Sequence, residues 1–272
     1  MTKDKIATVF ALIASSLLVF VSAVAQDSKT SKPADATAAP GKTTGGAGKI
    51  ATSSAIVSKN KILITSATTP IDLARAAYMA QGGDKYRDLK SIVLTGSVDL
   101  FAPNSLQSLP GKFAIVTAGE KSRTELQSPV FNYRQISDGT RTYSSVAQME
   151  MPPLNRFGIN VLMKYDQPGY VVSALPDNKK WRAFRITDPD GNATDFYLAQ
   201  DTGRVMSFVV PYRGLTFGMD YKSFKEIDGV LVPMSFTQRL EMRQGAAFAD
   251  FKVKDVKIDV EIADDMFAIP EP

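Results

Sequence analysis

The chain has 272 residues, 44% apolar and 22% charged, with 32 Lys and Arg against 28 Asp and Glu. That is enough for one sizeable core and typical of a soluble globular protein. Histidine and cysteine are both absent, which removes the commonest general base, the commonest metal ligand, the thiolate nucleophile and every disulfide together. The chain is therefore not expected to be an enzyme, and no cofactor is implied.

The first 25 residues read as a secretory leader. Lys3 and Lys5 form a basic start, residues 6–24 are uncharged and apolar, and Ala23-Val24-Ala25 is a small-x-small cleavage site before Gln26. An uncleaved membrane anchor is the alternative, because ~20 apolar residues can span a bilayer. Residues 26–69 are rich in Ser, Thr, Ala, Gly and Lys, lack aromatics, and read as a disordered basic tail. This tail carries a net +4 and the leader +1, so the part from Pro70 onward is −1. The basic excess belongs to the ends, which argues against nucleic acid as a partner of the domain. A solvated linker, or contact of the tail lysines with anionic lipid headgroups, are the two readings of that charge.

Residues 70–272 are expected to form one domain. Thr69 as N-cap, Pro70 at the first helical position, Asp72 near the positive end and Gly82-Gly83 as terminator predict a helix over 70–81, with Ile71, Ala74, Ala77 and Tyr78 on one stripe. From Ile92 the period falls to two, with Ile92, Leu94, Val98 and Leu100 on one face. Strands are predicted at 112–118, 123–127, 130–137 and 140–148, an antiparallel meander. The apolar residues Leu154, Phe157, Gly158, Val161, Leu162 and Tyr165 then match an amphipathic helix over 153–166. Strands resume at 181–187, 194–200 and 204–210, with Phe196 opposite Phe208 and Leu198 opposite Met206.

Residues 214–262 carry the clearest pattern. Leu215, Phe217, Met219 and Tyr221 fall on odd numbers, while Val230, Val232, Met234, Phe236, Leu240 and Met242 fall on even ones. A two-residue turn at Asp228-Gly229 explains the switch and makes paired residues sum to 457. A second turn at Gln244-Gly245 would set a sum of 489 and put Ala247, Ala249, Phe251 and Val253 on the same face. Val256, Ile258, Val260 and Ile262 are even again, which implies a β-bulge near Lys254-Asp255. Long, one-faced, bent antiparallel strands are how a sheet starts to curl around something.

Catalytic motifs do not rise above background. Gly41-Lys42-Thr43 lacks the glycine and strand of a phosphate loop, and Ser58 with Lys61 matches S-x-x-K only in the tail. Asp188, Asp190 and Asn192 have calcium-loop spacing, yet Ala193 and Ala199 stand where the glycine and glutamate belong, so a turn at Asp190-Gly191 is the better reading.

Phe196-Tyr197-Leu198 through Thr202-Gly203-Arg204-Val205, then Ile227-Asp228-Gly229-Val230-Leu231-Val232-Pro233, then Val256-Lys257-Ile258-Asp259 with Asp264-Asp265-Met266-Phe267 and Pro270, follow one another in a recognisable order. With the Ala-rich helix ending in Gly82-Gly83 and Leu89-Lys90-Ser91-Ile92 before a strand, this resembles the outer-membrane lipoprotein-sorting, LolA-like family over about Pro70 to Pro270. The resemblance implies an α+β fold: an unclosed, strongly curved antiparallel β-barrel, or half-barrel, with helices covering the concave apolar face. It also implies a periplasmic monomer that carries acyl chains of lipoproteins or lipids between membrane-bound donor and acceptor proteins. The alternative is an envelope-stress or assembly module that binds a protein and has a filled core. The lining of a cavity is expected from Ile92, Leu94, Val98, Leu100, Phe157, Val161, Leu162, Leu215, Phe217, Met219, Tyr221, Val232, Met234, Phe236, Leu240, Ala249 and Phe251.

Overall fold

The computed structural model describes residues 64–146, 149–242 and 245–271. The leader, most of the basic stretch and Gln244 of the second turn lie outside the described residues. Among the described residues no helix is long and apolar enough to cross a membrane.

One antiparallel sheet dominates. Its strands are β1 Ile92–Phe101, β2 Ser108–Ala118, β3 Lys121–Gln127, β4 Asn132–Ser137, β5 Thr142–Ser144, β6 Val171–Ala174, β7 Arg182–Thr187, β8 Ala193–Leu198, β9 Val205–Tyr212, β10 Leu215–Ile227, β11 Val230–Met242 and β12 Gly245–Ile258. They lie in the order 5-4-3-2-1-12-11-10-9-8-7-6, so two meanders meet at a β1–β12 seam and the sheet stays open between β5 and β6. The result is an unclosed half-barrel. The chain passes from one edge to the other by a crossover whose described part includes residues 149–170.

The register explains the curl. Asp228 and Gly229 both have positive φ (48° and 82°), as a two-residue hairpin turn requires, and the β10–β11 pairs sum to 457 from Thr216↔Glu241 to Ile227↔Val230, with an irregularity around Ser223. Thr95 pairs with Asp255 but Gly96 with Val253, which leaves Lys254 as the extra residue of a β-bulge. The bulge bends β12 where β1 joins it. The second hairpin differs from expectation: Met242 pairs with Gly245 and the sum is 487. Because side chains alternate with period two, a slip of two residues changes every partner and leaves every face unchanged. Phe196 pairs with Phe208, but the register then shifts and Leu198 pairs with Val205 in place of Met206.

Helix α1, Pro70–Gln81, is capped by Thr69, whose Oγ1 accepts from the Asp72 N–H (3.3 Å) and donates to the Asp72 carboxylate (2.6 Å). It packs on β6, β7, β9 and β11 through Leu73, Ala74, Ala77 and Tyr78, whereas Ile71 is 41% exposed and stands outside the stripe. The short α2, Asp84–Arg87, ties this end to the crossover, with Arg87 Nε donating to the Met163 carbonyl (2.8 Å) and Nη2 to Asp166 (2.7 Å). Ile64, in the stretch assigned to the tail, is buried in the core, and buried Arg182 donates to the Ser66 and Thr68 carbonyls (3.4 and 3.2 Å).

The helix expected over 153–166 is replaced by a string of tight turns with one helical turn, α3, Ile159–Leu162. Most of its bonds run from residue i to i−3, as from Val161 to Gly158, Lys164 to Val161 and Tyr165 to Leu162. Gly158 breaks the helix at φ 65°, ψ −138°, a conformation closed to other L-residues. Periods of 3.0 and 3.6 barely separate over two turns, so Phe157, Val161, Leu162 and Tyr165 are still buried. The covering layer is thus one helix plus a turn-rich crossover. On the opposite face, a 3-10 turn at Asp264–Phe267 seals a small second core of Val116, Ile136 and Phe267, held by Arg123 Nη1 donating to the Met266 carbonyl (2.8 Å).

A Cβ at Gly158 would sit 2.6 Å from the Phe208 ring, whereas one at Gly191, also at positive φ, would meet nothing within 4 Å. Gly158→Ala is expected to cost at least ~2 kcal/mol more than Gly191→Ala in urea denaturation, since backbone strain and overpacking act together there.

Candidate ligand-binding site

The concave face is built from inward positions of successive strands, and aromatic rings form its backbone. Phe113 of β2, Phe251 of β12, Phe236 of β11, Tyr221 of β10, Phe208 of β9, Phe196 of β8 and Phe184 of β7 lie in line, with neighbouring centroids 5.0, 4.7, 6.3, 6.1, 6.3 and 5.1 Å apart. All are within the range at which aromatic pairs attract beyond their area burial. β1 lies between Phe113 and Phe251, and the line crosses it at Gly96. A Cβ there would stand 2.9 Å from the Phe113 ring and 2.0 Å from the Lys252 carbonyl oxygen. Only glycine lets the rings meet.

All of the sequence-predicted lining residues join two apolar clusters that share Met219 and Tyr221. One cluster holds Phe157, Val161, Leu162 and Phe217 with Leu215 and Leu240 against it; the other holds Leu94, Val98, Val232, Phe236 and Phe251 with Ile92, Leu100, Met234 and Ala249 against it. They divide by accessibility. Leu94, Val98, Phe157, Val161, Leu162, Phe217, Val232, Phe236 and Phe251 are buried, while Ile92, Leu100, Leu215, Met219, Tyr221, Met234, Leu240 and Ala249 are half-buried. Leu100 pairs with Ala249, Ala249 with Gln238, and Gln238 with Met219, so one row across β1, β12, β11 and β10 is part-open.

A strap of the crossover, Met149 to Met151, lies over that row. Its anchors are polar and sequence reasoning missed them. The Gln135 side chain acts like a strand edge toward Met151: its Oε1 accepts from the Met151 N–H (2.8 Å) and its Nε2 donates to the Met151 carbonyl (3.0 Å). The Tyr133 hydroxyl donates to the same Oε1 (2.6 Å), and burial pushes that phenol's pKa up. Farther across, Glu150 accepts from the Tyr212 hydroxyl (2.5 Å) and pairs with Arg213 (2.9 Å), and Gln238 Nε2 reaches Met151 Sδ (3.2 Å). Burial first, and then the hydrogen bond to Glu150, push Tyr212 up to about 12, so this donor keeps its proton at neutral pH. The available signal was parity, because Gln135 and Gln238 occupy inward positions where an apolar residue is expected.

The Asp188 turn is structural. Asp188 Oδ1 accepts from the N–H groups of Asp190 (3.0 Å) and Asn192 (2.8 Å), which holds the β7–β8 hairpin. Among the described residues no group of acidic side chains is arranged to hold a metal ion.

No family model matches the chain, and no curated protein does. The structure is similar to a LolA superfamily protein from Nitrosomonas europaea, at a TM-score of 0.48 and 12% identity, covering 75% of this chain and 99% of that one. It is also similar to a DUF1329 family protein from Desulfovibrio piger (0.45, 11%, 74% and 98%) and to an outer membrane lipoprotein-sorting protein domain from Vibrio parahaemolyticus (0.43, 11%, 72% and 95%). The likeness is one of fold.

Removing the Gln135 side chain tests the strap directly. Gln135→Ala is expected to cost about 1–3 kcal/mol and to speed hydrogen exchange at the Met151 amide by more than at the amides of β11. Uniform acceleration at both would mean that the strap has no opening of its own.

Proposed function

We propose that the protein binds acyl chains of a lipid or lipoprotein non-covalently on its concave face and carries them through the periplasm. The observation that carries this reading is the part-open row of Leu100, Ala249, Gln238 and Met219, apolar except at Gln238, closed over by a strap that polar contacts pin at Glu150 and Met151. Met149, Met151, Met219 and Met234 gather in the same clusters, and unbranched thioether side chains suit a surface that must repack around a flexible chain. The energetics are adequate. At ~0.8 kcal/mol per buried CH₂, a chain of about 14 carbons is worth on the order of 10 kcal/mol gross, before the cost of immobilisation. Secretion follows from the leader, and delivery would pass from a membrane-bound donor to a membrane-bound acceptor.

Adding bulk separates a binding wall from packed core. Ala249 is half-buried, whereas Val232 is 0% exposed. Ala249→Phe is expected to keep stability within about 1 kcal/mol of the parent while weakening binding of a fluorescent fatty-acyl probe roughly tenfold; Val232→Trp is expected to lose ~1–3 kcal/mol through overpacking. A parent protein that binds no acyl probe, with Ala249→Phe strongly destabilised, would sink the carrier reading. The interior would then be core, and the protein-binding alternative would stand in its place.

A further inference from the structure

A cleft of about 260 Å³ opens where α2, the start of β1, the β2–β3 turn and the crossover meet, and Leu100, Ala249 and Met219, the row proposed for acyl chains, lie outside it. Three amide side chains, Asn155, Asn160 and Gln167, line it, and Leu89, Ile92 and Met163 supply apolar wall. Asn155 is 5% exposed; its Nδ2 faces Glu120 Oε2 (3.4 Å), and its Oδ1 has no hydrogen-bond partner among the described residues. A buried amide oxygen without a partner is rare in a folded protein and favours any group that can donate to it.

The charges narrow the chemistry. Glu120 takes the Lys164 ammonium (2.6 Å), Arg87 is held by Met163 and Asp166, and Lys90 stands exposed at the rim. A carboxylate or a phosphodiester brings only acceptors and would leave Asn155 Oδ1 unpaired, and any phosphate would set its negative charge against the Glu120 carboxylate. An ammonium could donate to both but would enter beside Arg87, Lys90 and Lys164. A hydroxyl both donates and accepts and carries no charge. Two neighbouring hydroxyls can donate to Asn155 Oδ1 and to Glu120 on one side and accept from Lys90 or Gln167 on the other, while Leu89 and Ile92 receive the C–H groups.

We propose that this cleft binds a small neutral polyhydroxylated group, a sugar or glycerol moiety, with Asn155 as its buried acceptor. The group could be a free molecule or the head of an uncharged lipid, and the test separates these sources. Amide shifts of the full chain would be followed by NMR during titration with glucose and with glycerol. Saturable shifts are expected at residues 89–92, 117–120 and 155–167, at concentrations up to about 100 mM, the range of weak single-group binding. Asn155→Leu should weaken them roughly tenfold and Lys90→Ala, an exposed change that spares folding, about two- to threefold. Thr117→Trp, which narrows the cleft, should abolish them. Octyl glucoside that half-saturates the shifts at these same cleft amides at a concentration more than about tenfold below that of glucose would assign a lipid head; half-saturation at the same concentration would assign a free polyol. The absence of saturable shifts with either polyol would overturn the proposal, and so would equal shifts with inorganic phosphate or methylammonium, or unaltered binding in Asn155→Leu. None of these results depends on acyl-probe binding at Ala249.

Discussion

Phe113 reaches Phe251 across β1 because position 96 has no side chain, and much of the half-barrel depends on that contact. β1 and β12 are the first and last strands of their meanders, so the seam between them is the pairing with the greatest separation along the chain. Loop closure makes such a pairing the slowest to form, and strand ladders alone fix its register weakly. The ring line supplies what the ladder lacks. It starts on β2, on one side of the seam, and continues on β12, β11 and β10 on the other, so a slip would part Phe113 from Phe251. The bulge at Lys254 lies next to Gly96 in the same pairing. Bend, glycine and aromatic contact therefore form one unit, in which a close backbone approach, an extra residue and a bridging ring reinforce each other.

The hairpin arithmetic shows where sequence is informative. Asp228-Gly229 names its own turn type, and the 457 register follows from it, as do the faces of Phe217, Tyr221, Phe236 and Leu240; the bulge at Lys254 follows separately, from the change of parity between Val253 and Val256. Gln244-Gly245 carries a weaker turn signal, and the sum was wrong by two. The faces survived because alternation is blind to even slips. The crossover failed for a related reason. Its apolar spacing fits helix and tight turns alike, and Gly158 counted as a member of the stripe when it is the residue that breaks it. Gln135, Gln238, Glu150 and Tyr212 escaped because a search for apolar periodicity passes over polar residues at inward positions. The small core beneath Phe267 was invisible to a reading that looked for only one buried face.

The division between buried and half-buried lining residues bears on how a ligand could enter. The strap is held by hydrogen bonds from Gln135 and by Glu150 with Tyr212 and Arg213, while its Met149 and Met151 side chains rest half-buried on the apolar clusters. Each such bond is worth only about 0.5–1.5 kcal/mol net, because water replaces the partner when the strap lifts. By contrast, displacing Val232 or Leu162 would expose side chains that are wholly buried, at ~1.5–3 kcal/mol each, and would open the ring line itself. On the proposed reading an acyl chain therefore enters beneath Met149 to Met151, along Leu100, Ala249 and Met219, and not through the crossover at Val161 and Leu162. The few kcal/mol needed to lift the strap is smaller than the gross gain from burying about 14 methylenes. The half-barrel can thus stay rigid at its aromatic line while its covering layer yields.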